Sequence, residues 1–348
     1  MEGGVEGFER VSVFYPRGVR TGGPEALHQL VDALRSLGHD AALVPLPGTA
    51  RSPRVAEYER YDAPERAHAA RGPRDAVVTP EIWVPRASVT GAATWFCWWL
   101  SVDNSPVFLD ERRRHTGAEA ERTVAAAVRA LPRRLGRGLA GPVRRRRLRA
   151  AVHLAQSVYA RDFVARELAV PVALLSDYVT SSITGSDPPA EAARGTTTPV
   201  VAFNPAKGGE VVARVAAAVT TPVEWLPIVA MSPAEVEDAL ARSDVYLELG
   251  HLPGKDRIPR EAAVRGAVVL IAARGAGANP DDFPLPAEHR IALGDDLAGR
   301  TVRVLTDVLA DLPEHRRRQA GFRARLAQER RVFLAEVREG FGPARTAP

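Results

Sequence analysis

Short apolar runs alternate along this chain with stretches whose apolar positions recur every three or four residues. That alternation predicts strands and helices in turn, the pattern of parallel sheets with crossover helices. Residues 11–15 read as a buried strand, and the loop 16–23 leads into a helix from Ala26 through Leu37 that stops at Gly38. Residues 41–45 form the second strand, 48–73 a polar loop with a short helix, and 75–81 the third strand. The aromatic-rich run 93–102 is the fourth strand and ends at Asp103-Asn104-Ser105. From 111 to 149 the pattern is helical but heavily charged, and Pro132, Gly136, Gly138, Gly141 and Pro142 break it. A strand at 152–157, a helix at 159–167 and a strand at 172–178 close the first series.

Residues 182–199 are rich in Pro, Gly, Thr and Ala without an apolar period, and read as a linker. A second series follows: strand 200–203, helix 210–219, strand 223–228, helix 233–242, strand 245–249, a helix through Arg260 and Glu261, and strand 267–272. Ser232, Pro233 and Glu235 give the helix at 233–242 a helix-start signature. Helices at 297–309 and 314–339 end the chain. The last, with Leu326, Phe333 and Val337 on one side, is expected to cross back and brace the N-terminal domain. The prediction is an α/β chain of two Rossmann-like domains facing a cleft, with domains at 1–181 and 200–348.

Composition sharpens the picture at three points. A chain of 348 residues, 45% hydrophobic and 26% charged, suits a soluble protein of two cores. It has no apolar run of membrane-spanning length, and its acidic N-terminal lead lacks the apolar region of a signal peptide, so a cytoplasmic location is expected. The single Cys97 excludes an intrachain disulfide and a cysteine-built zinc cluster. Between Arg133 and Arg149 lie eight arginines and no acid; removing them from the net charge of +5 leaves the remainder at −3. Such a local basic patch is by default a solvated face; the alternative is an anionic membrane surface, which would give a peripheral position at the inner membrane face. Nucleic acid is not expected, since few aromatics are interspersed and no reader motif is present.

Of the 47 basic residues, only Lys207 and Lys255 are lysines. In so arginine-rich a chain, each marks a place where a compact point charge is wanted. Lys207 lies in Asn204-Pro205-Ala206-Lys207-Gly208-Gly209, and Lys255 in a loop running from Gly250 through Gly254, Asp256 and Arg257. Both loops follow strands, where open α/β sheets hold phosphates. Gly22 and Gly23, before Pro24, would let a ligand approach the first βα turn, but the full dinucleotide fingerprint is absent and NAD is not predicted. Asp103 and Asn104 are candidates at a strand end, where turn chemistry also explains them. His28 and His153 are either structural or placed to act on an acceptor hydroxyl. No Asp-x-Asp pair is present to hold a metal, and none is expected.

Taken in order, the first strand with TGGPEALHQL, then LSDYVTSSI, FNPAKGGE, MSPAEVEDALARSDVYLELG and GKDRIPREAAVRGAVVL, resemble the motifs of GT-B glycosyltransferases. The resemblance is to the bacterial, family-4-like enzymes of polysaccharide and glycoconjugate assembly, and covers residues 10–290. It implies a metal-independent hexosyltransferase that uses a nucleotide-diphosphate sugar as co-substrate, with no other cofactor, and a hydroxyl acceptor. Lys207 would neutralise the donor diphosphate, with Lys255 or Arg257 as second cation, and Glu261 would bind the ribose. Gly22 and Gly23 would face the diphosphate, and Asn204 and Gly254 would line the donor loops. The sequence departs from the family at one point: the first Glu of the Glu-x7-Glu pattern is replaced by Pro253, with Asp256 or Glu248 as possible substitutes. A sugar-nucleotide epimerase and a catalytically inactive GT-B binding module are the alternatives.

Overall fold

The computed structural model describes residues 7–105, 107–108, 141–180 and 198–344. The expected linker lies outside the described residues apart from 198 and 199, and so does most of the broken helical segment 111–149. The chain forms two compact units, one of Met1–Tyr178 with Arg330–Pro348, the other of Val179–Glu329. The division therefore falls just before the expected linker. Residues 330–348, which the sequence places with the second domain, group with the first.

The first unit holds six strands: β1 (Arg10–Tyr15), β2 (Asp40–Pro45), β3 (Asp75–Pro80), β4 (Thr94–Trp99), β5 (Val152–Ala155) and β6 (Val172–Leu174). They pair in parallel in the order β2-β1-β3-β4-β5-β6. Among the described residues before the linker its helices are α1 (Gly22–Ser36), α2 (Ala87–Thr90), α3 (Gly141–Leu148) and α4 (Val158–Leu168). The aromatic strand β4 shows why the sheet is buried on both faces. Phe96 and Trp98 enter one core with Leu27, Leu30 and Leu34 of α1, while Trp95, Cys97 and Trp99 enter the other with Val164 and Leu168 of α4. Side chains alternate along a strand, so five consecutive apolar residues, four of them large aromatics, feed two cores.

The second unit holds β7 (Val200–Phe203), β8 (Glu224–Pro227), β9 (Val245–Glu248), β10 (Val268–Ala272) and β11 (Arg290–Ile291), in the parallel order β11-β10-β9-β7-β8. Its helices are α5 (Gly209–Ala218), α6 (Pro233–Arg242), α7 (Arg257–Val264), α8 (Leu297–Ala310) and α9 (Leu312–Arg318). The capping box of α6 forms as the sequence predicts, with Ser232 and Glu235 each accepting from the other's backbone N–H. β11 carries only two residues, too few for a pattern to reveal.

The expected helix 314–339 is two helices, α9 and α10 (Ala320–Phe341), broken at Gln319. The break has a use. β11 reaches only Ile271 and Ala272, which leaves Val269 of β10 without a strand on that side. The buried Gln319 carboxamide fills the gap, accepting from Val269 N–H at 3.0 Å and donating to Val269 C=O at 2.8 Å. The second half of α10 then returns Phe333, Val337 and Phe341 to the first unit's core, the bracing role expected of it.

Candidate functional site

In the second sheet the chain steps from β7 to β8 on one side and then returns to place β9 on the other. The loops leaving β7 and β9 therefore diverge, and this switch point is where open α/β sheets bind ligands. The β7 loop is an Asx turn: Asn204 Oδ1 accepts from Ala206 N–H at 3.0 Å, and Asn204 C=O from Lys207 N–H at 3.0 Å. It meets the β9 loop backbone to backbone. A Cβ on Gly208, whose φ is +78°, would lie 2.7 Å from the Leu249 carbonyl carbon, and one on Gly250 would lie 2.6 Å from Lys207 Cβ. Two glycines thus lock the loops at closest approach and fix the base of Lys207.

Lys207 ends in an ion pair with Asp256, the residue that leads into α7. Beneath it Glu248, the last residue of β9, is 1% exposed; Tyr246 O–H donates to its Oε2 at 2.9 Å. Burial pushes the Glu248 carboxyl up to about 7, against the opposing pull of the Lys207 charge. Burial likewise lowers the Lys207 ammonium, and the Glu248 charge raises it. On α7, Arg257 Nε donates to Glu261 Oε1 at 3.2 Å, and both side chains stay partly exposed.

Lys255 is placed differently. Its Nζ lies 3.2 Å from Glu329 Oε1 and not among the partners described for Lys207. Arg260, fully buried, donates to the carbonyls of Lys255 at 2.7 Å and Asp256 at 3.2 Å and to Glu329 Oε2 at 2.9 Å. Glu329 also accepts from Val179 N–H at 3.2 Å. The loop that carries Gly254, Lys255 and Asp256 is thus fastened from below by one buried Arg–Glu couple. Sequence reasoning missed Arg260 and Glu329. An arginine among the buried positions of a short helix is a signal, but nothing in spacing links residues 69 apart. Pro253 leaves no acid at that point, and the two acids weighed as substitutes, Asp256 and Glu248, both engage Lys207.

In the first unit, Gly22 and Gly23 form the first turn of α1 with Pro24, not a loop before it; a Cβ on Gly23 would meet Leu100 only at an ordinary 3.6 Å. His28 is buried, its Nδ1–H donates to Pro24 C=O at 2.8 Å, and its ring packs against Tyr15 and Tyr58. Burial lowers its pKa to about 4. His153 accepts from Trp99 Nε1–H at 3.0 Å and donates to Leu148 C=O at 2.9 Å, a structural imidazole. Asp103 is buried and accepts from Tyr159 O–H at 3.2 Å, with Asn104 half-buried beside it. Burial raises the Cys97 thiol, which is no nucleophile.

The arginine cluster is less uniform than its sequence suggests. Arg147 lies over the Trp95 ring at 4.9 Å and donates to Pro85 C=O at 2.6 Å and Thr90 Oγ1 at 3.0 Å, and Arg145 lies over Phe108 at 5.7 Å. Arg146 and Arg149 are exposed; Arg133, Arg134 and Arg137 lie outside the described residues. Among the described residues no group of three or more His, Cys, Asp or Glu could hold a metal ion, and no helix is long and apolar enough to cross a membrane.

The architecture is α/β with two Rossmann-like units, the GT-B fold. Three solved structures illustrate the likeness. A glycosyltransferase from Rickettsia africae ESF-5 has a TM-score of 0.61 at 10% identity, over 96% of this chain and 97% of that one. The sucrose-phosphate synthase of Thermosynechococcus elongatus has a TM-score of 0.56 at 13% identity, over 94% of each. WaaG, a glycosyltransferase involved in lipopolysaccharide biosynthesis, has 0.55 at 12%, over 94% of this chain and 99% of that one. No family model and no curated protein matches the sequence.

Proposed function

We propose that this chain is a glycosyltransferase that moves a sugar from a nucleoside-diphosphate donor to a hydroxyl acceptor. Lys207 supports it above all: a mostly buried ammonium at the switch point of the second sheet, anchored by two close backbone contacts. As the glycosidic bond breaks, negative charge develops on the leaving diphosphate, and a fixed cation there stabilises the transition state. In this reading the diphosphate displaces Asp256 from Lys207, Arg257 serves as second cation, and Glu261 accepts the ribose hydroxyls. Lys255, held by Glu329, contributes by fixing the loop. Asp103 and Asn104 are the acceptor-side candidates, and His28 is structural. The acceptor belongs to cell-surface polysaccharide, glycoconjugate or secondary-metabolite assembly. Exposed Arg146 and Arg149 suit attachment to an anionic membrane face, which vesicle co-sedimentation of Arg146→Ser/Arg149→Ser would test.

One observation favours a binding module without turnover: Pro253 stands where the resemblance asks for an acid. Incubation with a panel of sugar nucleotides decides between the readings. Release of nucleoside diphosphate, lost in Lys207→Ala, supports transfer. An epimerised sugar nucleotide formed without acceptor supports an epimerase, and binding with no consumption supports the inactive module.

A further inference from the structure

Glu248 is the group the proposed chemistry leaves unused. A carboxylate at the end of a central strand, 1% exposed, has one oxygen satisfied by Tyr246 and the other, Oε1, with no hydrogen-bond partner among the described residues. Such burial is costly unless the charge is compensated. Among the described residues the cation acting on it is Lys207, whose backbone closely approaches Gly250, two residues after Glu248, and the Gly250 N–H also favours the charged form. From α7 the Glu261 charge acts on Tyr246. Lys207 therefore interacts with two acids: Asp256, partly exposed on the loop and ion-paired with it, and the buried Glu248, whose charge acts on it.

We propose that Glu248 is a positioning residue that acts as the buried, proton-exchanging counter-ion of Lys207, and that an anion bound to Lys207 drives uptake of a solvent proton by Glu248. The anion part rests on the function proposed above. A diphosphate on the outer side of Lys207 takes up the cation's field and adds a repulsive charge, so the protonated form of Glu248 gains. Burial pushes the Glu248 carboxyl up to about 7, which places this exchange near neutrality. The sign follows from linkage. Below the ligand-free pKa, Glu248 is protonated in both states and affinity is flat and highest. Above it, binding must take up a proton, so affinity falls until the bound-state pKa is passed.

The two-lysine content makes the first half directly observable. With lysines labelled at 13Cε, the signal lost in Lys207→Arg is Lys207. Its shift should show an inflection near neutral pH that disappears in Glu248→Gln. In Tyr246→Phe, which removes the hydrogen bond favouring the charged form, the inflection should move to higher pH. An inflection that survives Glu248→Gln, or none in the wild type, overturns the proposal. For the second half, calorimetry uses UDP-glucose and GDP-mannose, whose diester phosphates lack the terminal group that titrates near pH 6. Affinity should be about threefold to tenfold weaker at about pH 8.5 than at about pH 6, with proton uptake measured across buffers of different ionisation enthalpy. A flat profile without proton uptake overturns the coupling and leaves the donor site standing. If neither sugar nucleotide binds while the lysine inflection behaves as stated, the counter-ion role stands, and the donor reading fails together with the anion half.

Discussion

At the scale of single residues, burial sets charge against stability at three places. Glu248 has a folded pKa of about 7 against 4.5 when exposed, so the folded state binds the extra proton between those values. Stability from this group therefore declines as pH rises through about 4.5 to 7, a penalty of about 3 kcal/mol when complete. Glu248→Gln should match the wild type near pH 5 and be more stable by about 1–3 kcal/mol near pH 8, as read from urea melts. His28 and His289 behave oppositely. Burial lowers both to about 4, so the unfolded chain binds more protons between 4 and 6.5 and stability is lost as pH falls through that window. For His289 burial is the larger cause and the neighbouring His315 the second, and its hydrogen bonds add a further obstacle to protonation. Gln319, held by Val269, donates to His289 Nδ1 at 2.8 Å, His289 Nε2–H then donates to His315 Nδ1 at 2.8 Å, and His315 Nε2 lies 3.2 Å from Asp307. Every donor in that chain already faces an acceptor, so a proton added at His289 Nδ1 breaks it. An acid melt should begin near pH 6, not near pH 4. A thermal midpoint unchanged from pH 7 to 5 would contradict this.

At the scale of elements, the two loops at the switch point and the break at Gln319 carry the argument. Gln319 replaces a missing strand for Val269, and Gln319→Leu leaves both backbone groups of Val269 buried and unpaired. The expected cost is about 2–4 kcal/mol, with amide exchange at Val269 losing protection. A change below about 0.5 kcal/mol would mean the carboxamide is replaced easily. Strands and most helices were legible in the sequence because their apolar periods are long enough to count, and the α6 capping box was legible to the residue. Gln319 was not: within an Arg-rich helical pattern, one glutamine carries no sign that it faces a strand. The loop lysines were legible by rarity alone. Their different fates were not, because Lys255 turns to a glutamate 74 positions away and Lys207 to an aspartate in the β9 loop.

At the scale of the whole molecule, the C-terminal segment belongs to the first unit although the chain reaches it last. Truncation after Glu329 removes Phe333, Val337 and Phe341, each fully buried. Losing several aromatic and aliphatic core side chains costs more than most domains can spare. The first unit should lose exchange protection in β1 and β3 while β7, β9 and β10 of the second retain theirs. Equal protection in both units would show that the segment is dispensable. The central claim is that Lys207 and Glu261 together hold a nucleoside diphosphate. Isothermal titration of the wild type, Lys207→Ala and Glu261→Ala against UDP, GDP and ADP tests it most directly. At least one nucleotide should bind, and Lys207→Ala should weaken that binding by about 2–5 kcal/mol. Glu261→Ala should weaken it too, by about 1–3 kcal/mol. Binding of that nucleotide with equal affinity by all three proteins, or by none of them, would contradict it.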